Sequence, residues 1–286
     1  MINKDLKIAF FGNSWFSALT LSAMKANGLV PSLIVTTPDR PKGRKLVLTK
    51  TETKVWAEEN GVPFVEQEKI RDEAFQATLQ GFDLFIVASY GKIVPDSLLA
   101  IPKYGTLNLH PSLLPKYRGA SPLQSQILAD DKEVGITIML MDREVDHGDI
   151  LAQQKVEVPN WPPKTSELKV LTADVGGTLL VQTIDGWVAG TIKAVPQNHA
   201  QATFCTKFEK ADGLMDIVNG DPYQNYLKIQ AFDIWPGTYF MVKRGEIEQK
   251  VIVKEAKFEN GTLQILRVLP EGKKEMSYKD FLNGLR

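Results

Sequence analysis

Four residues near the start of the chain, Ile8-Ala9-Phe10-Phe11, are all apolar and stop at Gly12-Asn13-Ser14; a run of the same kind returns at Leu84-Phe85-Ile86-Val87-Ala88. A strand that is apolar at every position has no side for water, so both of its faces must be covered, and that is the condition of a parallel sheet sandwiched by helices. Behind the first run, Phe16, Leu19, Leu21 and Met24 follow at a spacing compatible with a helix. The alternation then repeats: 32–35 reads as strand, 51–60 and 72–79 as helices, 84–88 and 106–109 as strands. This predicts an α/β fold, a doubly wound domain with a mostly parallel sheet. Residues 135–141 and 150–158 read as two more strands, joined through Asp146-His147-Gly148-Asp149 into an antiparallel hairpin appended to that sheet. Residues 168–187 carry a helical period, weakened at Gly176-Gly177.

From about residue 193 the periodicity disappears in a polar stretch, Pro196-Gln197-Asn198-His199-Ala200-Gln201-Ala202-Thr203. The expected division is a larger domain over 1–192, a linker over 193–206 and a smaller domain over 207–286. In the last part a helical stretch at 222–232 precedes short β-like runs at 239–242, 251–253 and 263–266, separated by Gly245 and Asn260-Gly261, which predicts a small β-rich barrel or open sheet. Lys plus Arg and Asp plus Glu both number 34, so no overall field selects nucleic acid or anionic lipid. A single cysteine, Cys205, excludes an internal disulfide framework, no run approaches the roughly 18 apolar residues of a membrane helix, and the apolar run behind Lys4 and Lys7 is too short for a signal peptide. A cytoplasmic protein with no membrane partner is expected.

The densest polar constellation follows the strand at 106–109. Asn108 and His110, two residues apart, fall on one face of a strand, and open α/β sheets bind ligands beyond the carboxyl ends of their strands. Prolines at 111, 115 and 122 stiffen the segment that follows, so the backbone of Ser112, Leu113, Leu114 and Pro115 is suited to hydrogen-bond a planar heterocycle. Asp146, in the predicted hairpin turn, is placed where its carboxylate can approach and orient the His110 ring. An amide, an imidazole and a carboxylate make an acid–base set. Asp146 and Asp149 around Gly148 are also ordinary turn residues, and one tight turn cannot aim Asp146, His147 and Asp149 at a single ion, so no metal is expected. Gly12 does not belong to a G-x-G-x-x-G fingerprint, which leaves a nicotinamide cofactor without support.

The run Asn108-Leu109-His110-Pro111-Ser112-Leu113-Leu114-Pro115-Lys116-Tyr117-Arg118-Gly119, together with Asp146 in Asp-His-Gly-Asp, resembles the signature of the folate-dependent formyltransferases in both order and spacing. The likeness runs nearly end to end and is strongest to the members that act on tRNA, through 36–44, Gly135-Ile136-Thr137-Ile138-Met139, Ala231-Phe232-Asp233-Ile234-Trp235-Pro236-Gly237 and Pro270-Glu271-Gly272-Lys273-Lys274. The resemblance implies a Rossmann-like catalytic domain and a C-terminal OB-like domain, 10-formyltetrahydrofolate as co-substrate, and the α-amine of methionine on initiator tRNA as acceptor. It implies Asn108, His110 and Asp146 as catalytic residues, and folate contacts at Ser112, Leu113, Leu114, Pro115, Tyr90 and Ile93. A monomer acting on initiator methionyl-tRNA and folate is expected. Arg40, Lys42, Arg44 and Lys45 are the expected tRNA contacts, in a segment from 40 to 54 with six basic residues and one acidic. Lys45-Leu46 departs from the glycine and further lysines usual there, and residues 207–286 are short for the family and nearly neutral, with 13 basic and 12 acidic residues. Formyltransferases acting on sugar-nucleotide amines share the Asn, His and Asp set, a formyl-folate hydrolase would keep it with water as acceptor, and a purely binding protein would not require it.

Overall fold

The apolar runs at 8–11 and 84–88 lie side by side as parallel strands inside the main sheet. The computed structural model describes residues 6–42, 46–244 and 247–285. β1 (Ile8–Phe11) is buried along its whole length and turns through Gly12 into α1 (Trp15–Ala26), capped by the Ser14 hydroxyl, which accepts from the Ser17 N–H. A Cβ on Gly12 would lie 2.6 Å from that of Ser17, so only glycine lets the strand enter the helix this closely. There follow β2 (Leu33–Thr36), a short hairpin of β3 (Arg40–Lys42) and β4 (Val47–Thr49), α2 (Glu52–Asn60) and β5 (Phe64–Glu66). Thr51 caps α2, and Gly61 at φ 64° ends it. Next come α3 (Glu73–Thr78), β6 (Leu84–Val87), α4 (Asp96–Leu99), β7 (Thr106–His110), β8 (Arg118–Gly119) and α5 (Pro122–Leu128). β9 (Gly135–Leu140), β10 (Ile150–Lys155), the long α6 (Thr165–Val188) and β11 (Phe204–Cys205) complete this part of the chain.

Seven of these strands form one sheet in the order β10-β9-β7-β6-β1-β2-β5. From β5 to β7 all neighbours are parallel, while β9 runs antiparallel to β7 and to β10. The expected α/β domain with an appended hairpin is what forms. The strand order reverses at β1: the chain goes out through β2 and returns at β6 on the other side, which opens the crevice at the carboxyl ends where such sheets take ligands. One side of the sheet is filled by Phe11, Phe75, Phe85, Val87, Tyr90 and their neighbours, with Phe11 5.2 Å from Phe85 and 5.6 Å from Tyr90 between ring centroids. Burying aromatic rings of this kind contributes about 3–5 kcal/mol apiece as read from truncation to alanine.

α6 forms where the helical period predicts it and runs straight through Gly176-Gly177, because those glycines serve packing: a Cβ on Gly177 would stand 2.5 Å from the Ala23 Cβ of α1, and one on Gly176 3.0 Å from Leu109 of β7. The basic segment after β2 is not plain loop but includes the β3–β4 hairpin, with Arg40 opposite Thr49.

By contacts the chain forms two compact units, 1–120 with 133–157 and 169–204, and 121–132 with 158–168 and 205–286. The sequence suggests a contiguous cut at 193–206; here the compact units interleave, because α5 packs on α7 (Pro222–Ala231). The second unit is built on an antiparallel sheet of β12 (Thr238–Arg244), β13 (Ile247–Glu259), β14 (Thr262–Pro270) and β15 (Met276–Ser277), followed by α8 (Tyr278–Asn283). Its core gathers Met215, Ile229, Phe240, Val251, Val253, Val268 and Phe281. Asn260 and Gly261, at φ 51° and 75°, make the two-residue turn between β13 and β14, the left-handed pair that a tight hairpin needs. β13 is far longer than its apolar stretch 251–253 suggests, since pairing to both neighbours carries the polar residues at its ends.

Candidate active site

β7 delivers Asn108 and His110, both buried, to the carboxyl end of the sheet. The 142–149 turn between β9 and β10 brings Asp146 to them. Asn108 Nδ2 donates to Asp146 Oδ1 at 3.1 Å, and the Gly119 N–H donates to Asp146 Oδ2 at 2.7 Å. His110 Nδ1 stands 3.5 Å from that same Oδ2. The other ring nitrogen, Nε2, lies 2.9 Å from the Tyr117 carbonyl; a carbonyl only accepts, so Nε2 carries a hydrogen. The three residues singled out in the sequence therefore converge, with Asp146 at φ 51°, a left-handed conformation that a residue with a Cβ rarely adopts.

The loop 112–115 is braced from within. Thr137 Oγ1 on β9 donates to the Ser112 carbonyl at 2.7 Å and accepts from the Leu114 N–H at 3.0 Å. Gln153 Nε2 donates to the Leu114 carbonyl at 2.8 Å, and Ser112 Oγ donates to the Lys116 carbonyl at 2.7 Å. The Ser112 carbonyl and the Leu114 N–H and carbonyl, among the backbone groups that the sequence suggests for a heterocycle, are thus taken up inside the protein, and Ser112 and Leu114 are buried.

Val87 of β6 pairs with Asn108 of β7, so the turn at 88–93 leaves the sheet next to the polar cluster. The turn is stitched to the start of α1: Ser17 Oγ donates to the Ala88 carbonyl at 2.6 Å and Asn13 Nδ2 to the Tyr90 carbonyl at 2.8 Å. The structure separates the two residues expected there. Tyr90 is 2% exposed and part of the core; burial first, then the charge of Glu68, pushes its hydroxyl pKa up, and its Oη has no hydrogen-bond partner among the described residues. Ile93 is 71% exposed and lines an open groove of about 750 Å³ with Glu68, Ile70, Arg71 and Lys92.

The Formyl transferase family profile matches residues 6–184. Methionyl-tRNA formyltransferase of Desulfotalea psychrophila is 35% identical over 307 residues, covering 99% of this chain and 94% of its own length. The chain belongs to the methionyl-tRNA formyltransferase family. The enzyme of the same name from Halalkalibacterium halodurans is also 35% identical, over 98% and 95% of the two chains. Among solved structures, the N-formyltransferase of Helicobacter canadensis in complex with folinic acid and dTDP-3-aminofucose superposes with a TM-score of 0.64 at 16% identity, covering 89% of this chain and 88% of that one, a likeness of fold.

In this formyltransferase the basic segment is partly neutralised by acids that lie elsewhere in the sequence. Arg40 pairs with Glu68 at 3.0 Å, Lys50 with Glu58 at 2.7 Å, and Lys54 with Asp39 and Glu66 at 3.0 Å each. Hydrogen bonds that Lys54 donates to Asp39 and then to Glu66 hold its ammonium above the ordinary lysine range, and the Arg40 hydrogen bond holds the Glu68 carboxyl below the usual carboxylate range. Lys42 ends β3, and Arg44 and Lys45 lie outside the described residues. Sequence reasoning missed the groups that seat the cluster: the Tyr117 carbonyl, the Gly119 N–H, Thr137 and Gln197. Only Thr137 left a signal, a polar residue inside an otherwise apolar strand.

Proposed function

We propose that the chain transfers the formyl group of 10-formyltetrahydrofolate to the α-amine of methionine on initiator tRNA. The observation that carries the chemistry is the convergence of Asn108, His110 and Asp146 at the end of β7. The acceptor is supported by relatives of that name matched along nearly their full length.

The amine nitrogen attacks the formyl carbon, and the carbonyl electron pair moves to oxygen. The bond from that carbon to the folate nitrogen then breaks. In balance the amine gives up one proton and the folate nitrogen takes one. Donors aimed at the developing oxyanion lower the barrier most in such transfers, because they meet charge exactly where it forms. Asn108 has a second amide hydrogen beyond the one given to Asp146. With its Nε2 hydrogen given to the Tyr117 carbonyl, His110 turns Nδ1 to an incoming oxygen, at a separation from Asp146 longer than a good hydrogen bond, and donates there as the imidazolium, which carries a hydrogen on both nitrogens. Asp146 takes the amine proton, directly or through water, and passes it back through the imidazole to the leaving nitrogen.

The folate lies along the 88–93 turn, with Ile93 against it, and the braced loop 112–115 gives the site a firm wall. The 40–54 segment, with Arg40, Lys42, Arg44 and Lys45, meets tRNA phosphates. Formyl transfer from 10-formyltetrahydrofolate is measured with methionine on initiator tRNA, methionine on elongator tRNA and an amino-sugar nucleotide as acceptors. Rapid transfer to the first alone is expected. Transfer to the sugar instead would keep the catalytic set and overturn the acceptor.

A further inference from the structure

Gln197 lies in the polar stretch that the sequence presents as linker, yet its side chain is buried. Its Nε2 donates to two carbonyls of the turn that carries the carboxylate, Asp146 at 3.0 Å and Gly148 at 2.7 Å. Its Oε1 accepts from Arg118 Nε at 3.1 Å and Nη2 at 2.6 Å. A guanidinium only donates, so the amide oxygen must face Arg118 and the NH₂ must face the turn.

Arg118 is itself buried and sits between two residues already in contact with the cluster. The carbonyl before it, of Tyr117, holds His110, and the N–H after it, of Gly119, holds the Asp146 carboxylate. Its Nη2 also reaches His199 Nδ1 at 2.9 Å, and the His199 ring stacks on that of His147, the residue after Asp146, with centroids 4.1 Å apart. His147 Nδ1 in turn lies 2.6 Å from Asp142 Oδ2, at the start of the same turn.

We propose that Gln197 and Arg118 are positioning residues of this formyltransferase, one network gripping Asp146 at both its backbone and its carboxylate; the proposal rests on the reading of Asp146 as a catalytic group. The physical reason is the φ of Asp146. At 51° it lies in the left-handed region, and without a restraint the residue relaxes to negative φ, which swings its Cβ and carries the carboxylate off Asn108 and His110. Two carbonyls bridged by one amide supply that restraint, and Arg118 fixes the amide's direction.

Gln197→Glu separates this role from general support. The variant keeps an oxygen for Arg118 but turns a second, negatively charged oxygen toward the two carbonyls, so the turn loses its donor. Steady-state formyl transfer to methionyl initiator tRNA is measured across pH, beside the thermal midpoint. The expected result is a kcat about tenfold or more below the parent, the scale of a small misplacement of a reacting group. KM for the formyl donor stays near the parent value and the pH profile of kcat is displaced, since Asp146 no longer faces His110. Gln197→Met, which keeps length without polar atoms, is expected to behave alike. A folded Gln197→Glu with the parent's kcat and pH profile overturns the proposal, as does a loss matched by a fall in folded protein with an unchanged profile. Asp146→Asn is run in parallel. If it is fully active, the catalytic reading of Asp146 falls and this proposal with it; if it is inactive while both Gln197 variants match the parent, only the positioning role falls.

Discussion

The end of β7 and the β3–β4 hairpin hold the two polar concentrations that the sequence makes most conspicuous, and the fold treats them in opposite ways. At the end of β7 the polar side chains are buried or nearly so, and each is seated by neighbours: Asp146 by Asn108 and the Gly119 N–H, His110 by the Tyr117 carbonyl. On the hairpin, Leu46, Val47 and Leu48 are 72%, 59% and 66% exposed, and Arg40 reaches Glu68 through an ion pair open to water. The difference lies in dielectric surroundings. A buried network is specific because every unpaired member is costly, whereas exposed ion pairs contribute roughly 0–1 kcal/mol and are screened by salt. Polar density in a sequence thus points equally to a rigid chemical centre and to a solvated rim.

The comparison is tested most severely at Asp146. Asp146→Asn and His110→Ala are each expected to lower kcat by about two to four decades, the range of a lost acid–base or oxyanion group, in steady-state formyl transfer. Retained activity in either would mean that the buried cluster is scaffolding.

One step out, Thr137→Val preserves shape but leaves the Ser112 carbonyl and the Leu114 N–H without their bonds to Oγ1. A stability loss of about 1–3 kcal/mol is expected in denaturant titration, the cost of stranding buried backbone groups. An unchanged midpoint would show that the loop 112–115 does not need its brace.

On the hairpin the effects shrink. Arg40→Ala is expected to leave the thermal midpoint nearly unchanged, in keeping with an exposed pair, and to flatten the salt dependence of KM for tRNA. A large fall in the midpoint would move the hairpin into the same class as the β7 end.

Smallest of all is the acid response of Glu68. Its carboxyl is held low in the folded chain, first by the Arg40 hydrogen bond, so its contribution is present above the ordinary carboxylate range and is lost as pH falls through its lowered value. Arg40→Ala should shrink that part of the acid dependence of the thermal midpoint, leaving what Lys92 still contributes, and leave the neutral and alkaline parts alone.

Much of the architecture was legible because its signals are local. Uniform apolarity over 8–11 and 84–88 dictates strands buried on both faces, and Asn260-Gly261 dictates a tight hairpin, since few other pairs take positive φ at both positions. Asn108 and His110 could be placed on one strand face by parity alone, and Asp146 in a turn by its neighbours. The reason for Gly176-Gly177 was not legible, because the cost of glycine in a helix is local, while the close approach of Ala23 that demands it comes from 154 positions away in the chain. The 40–54 segment looked more basic than it is, because Glu68, Glu66 and Asp39 lie outside that window.

The sequence by itself determined the α/β domain, the small β unit after it and the placing of Asn108 and His110 on one strand face, since each depends on periodicity or on spacing within a few positions. Only the tertiary structure decided how those residues are held. The seat of Asp146 is made by a backbone N–H 27 residues before it and an amide 51 residues after it, and side chains that meet through folding alone leave no periodic mark in the chain.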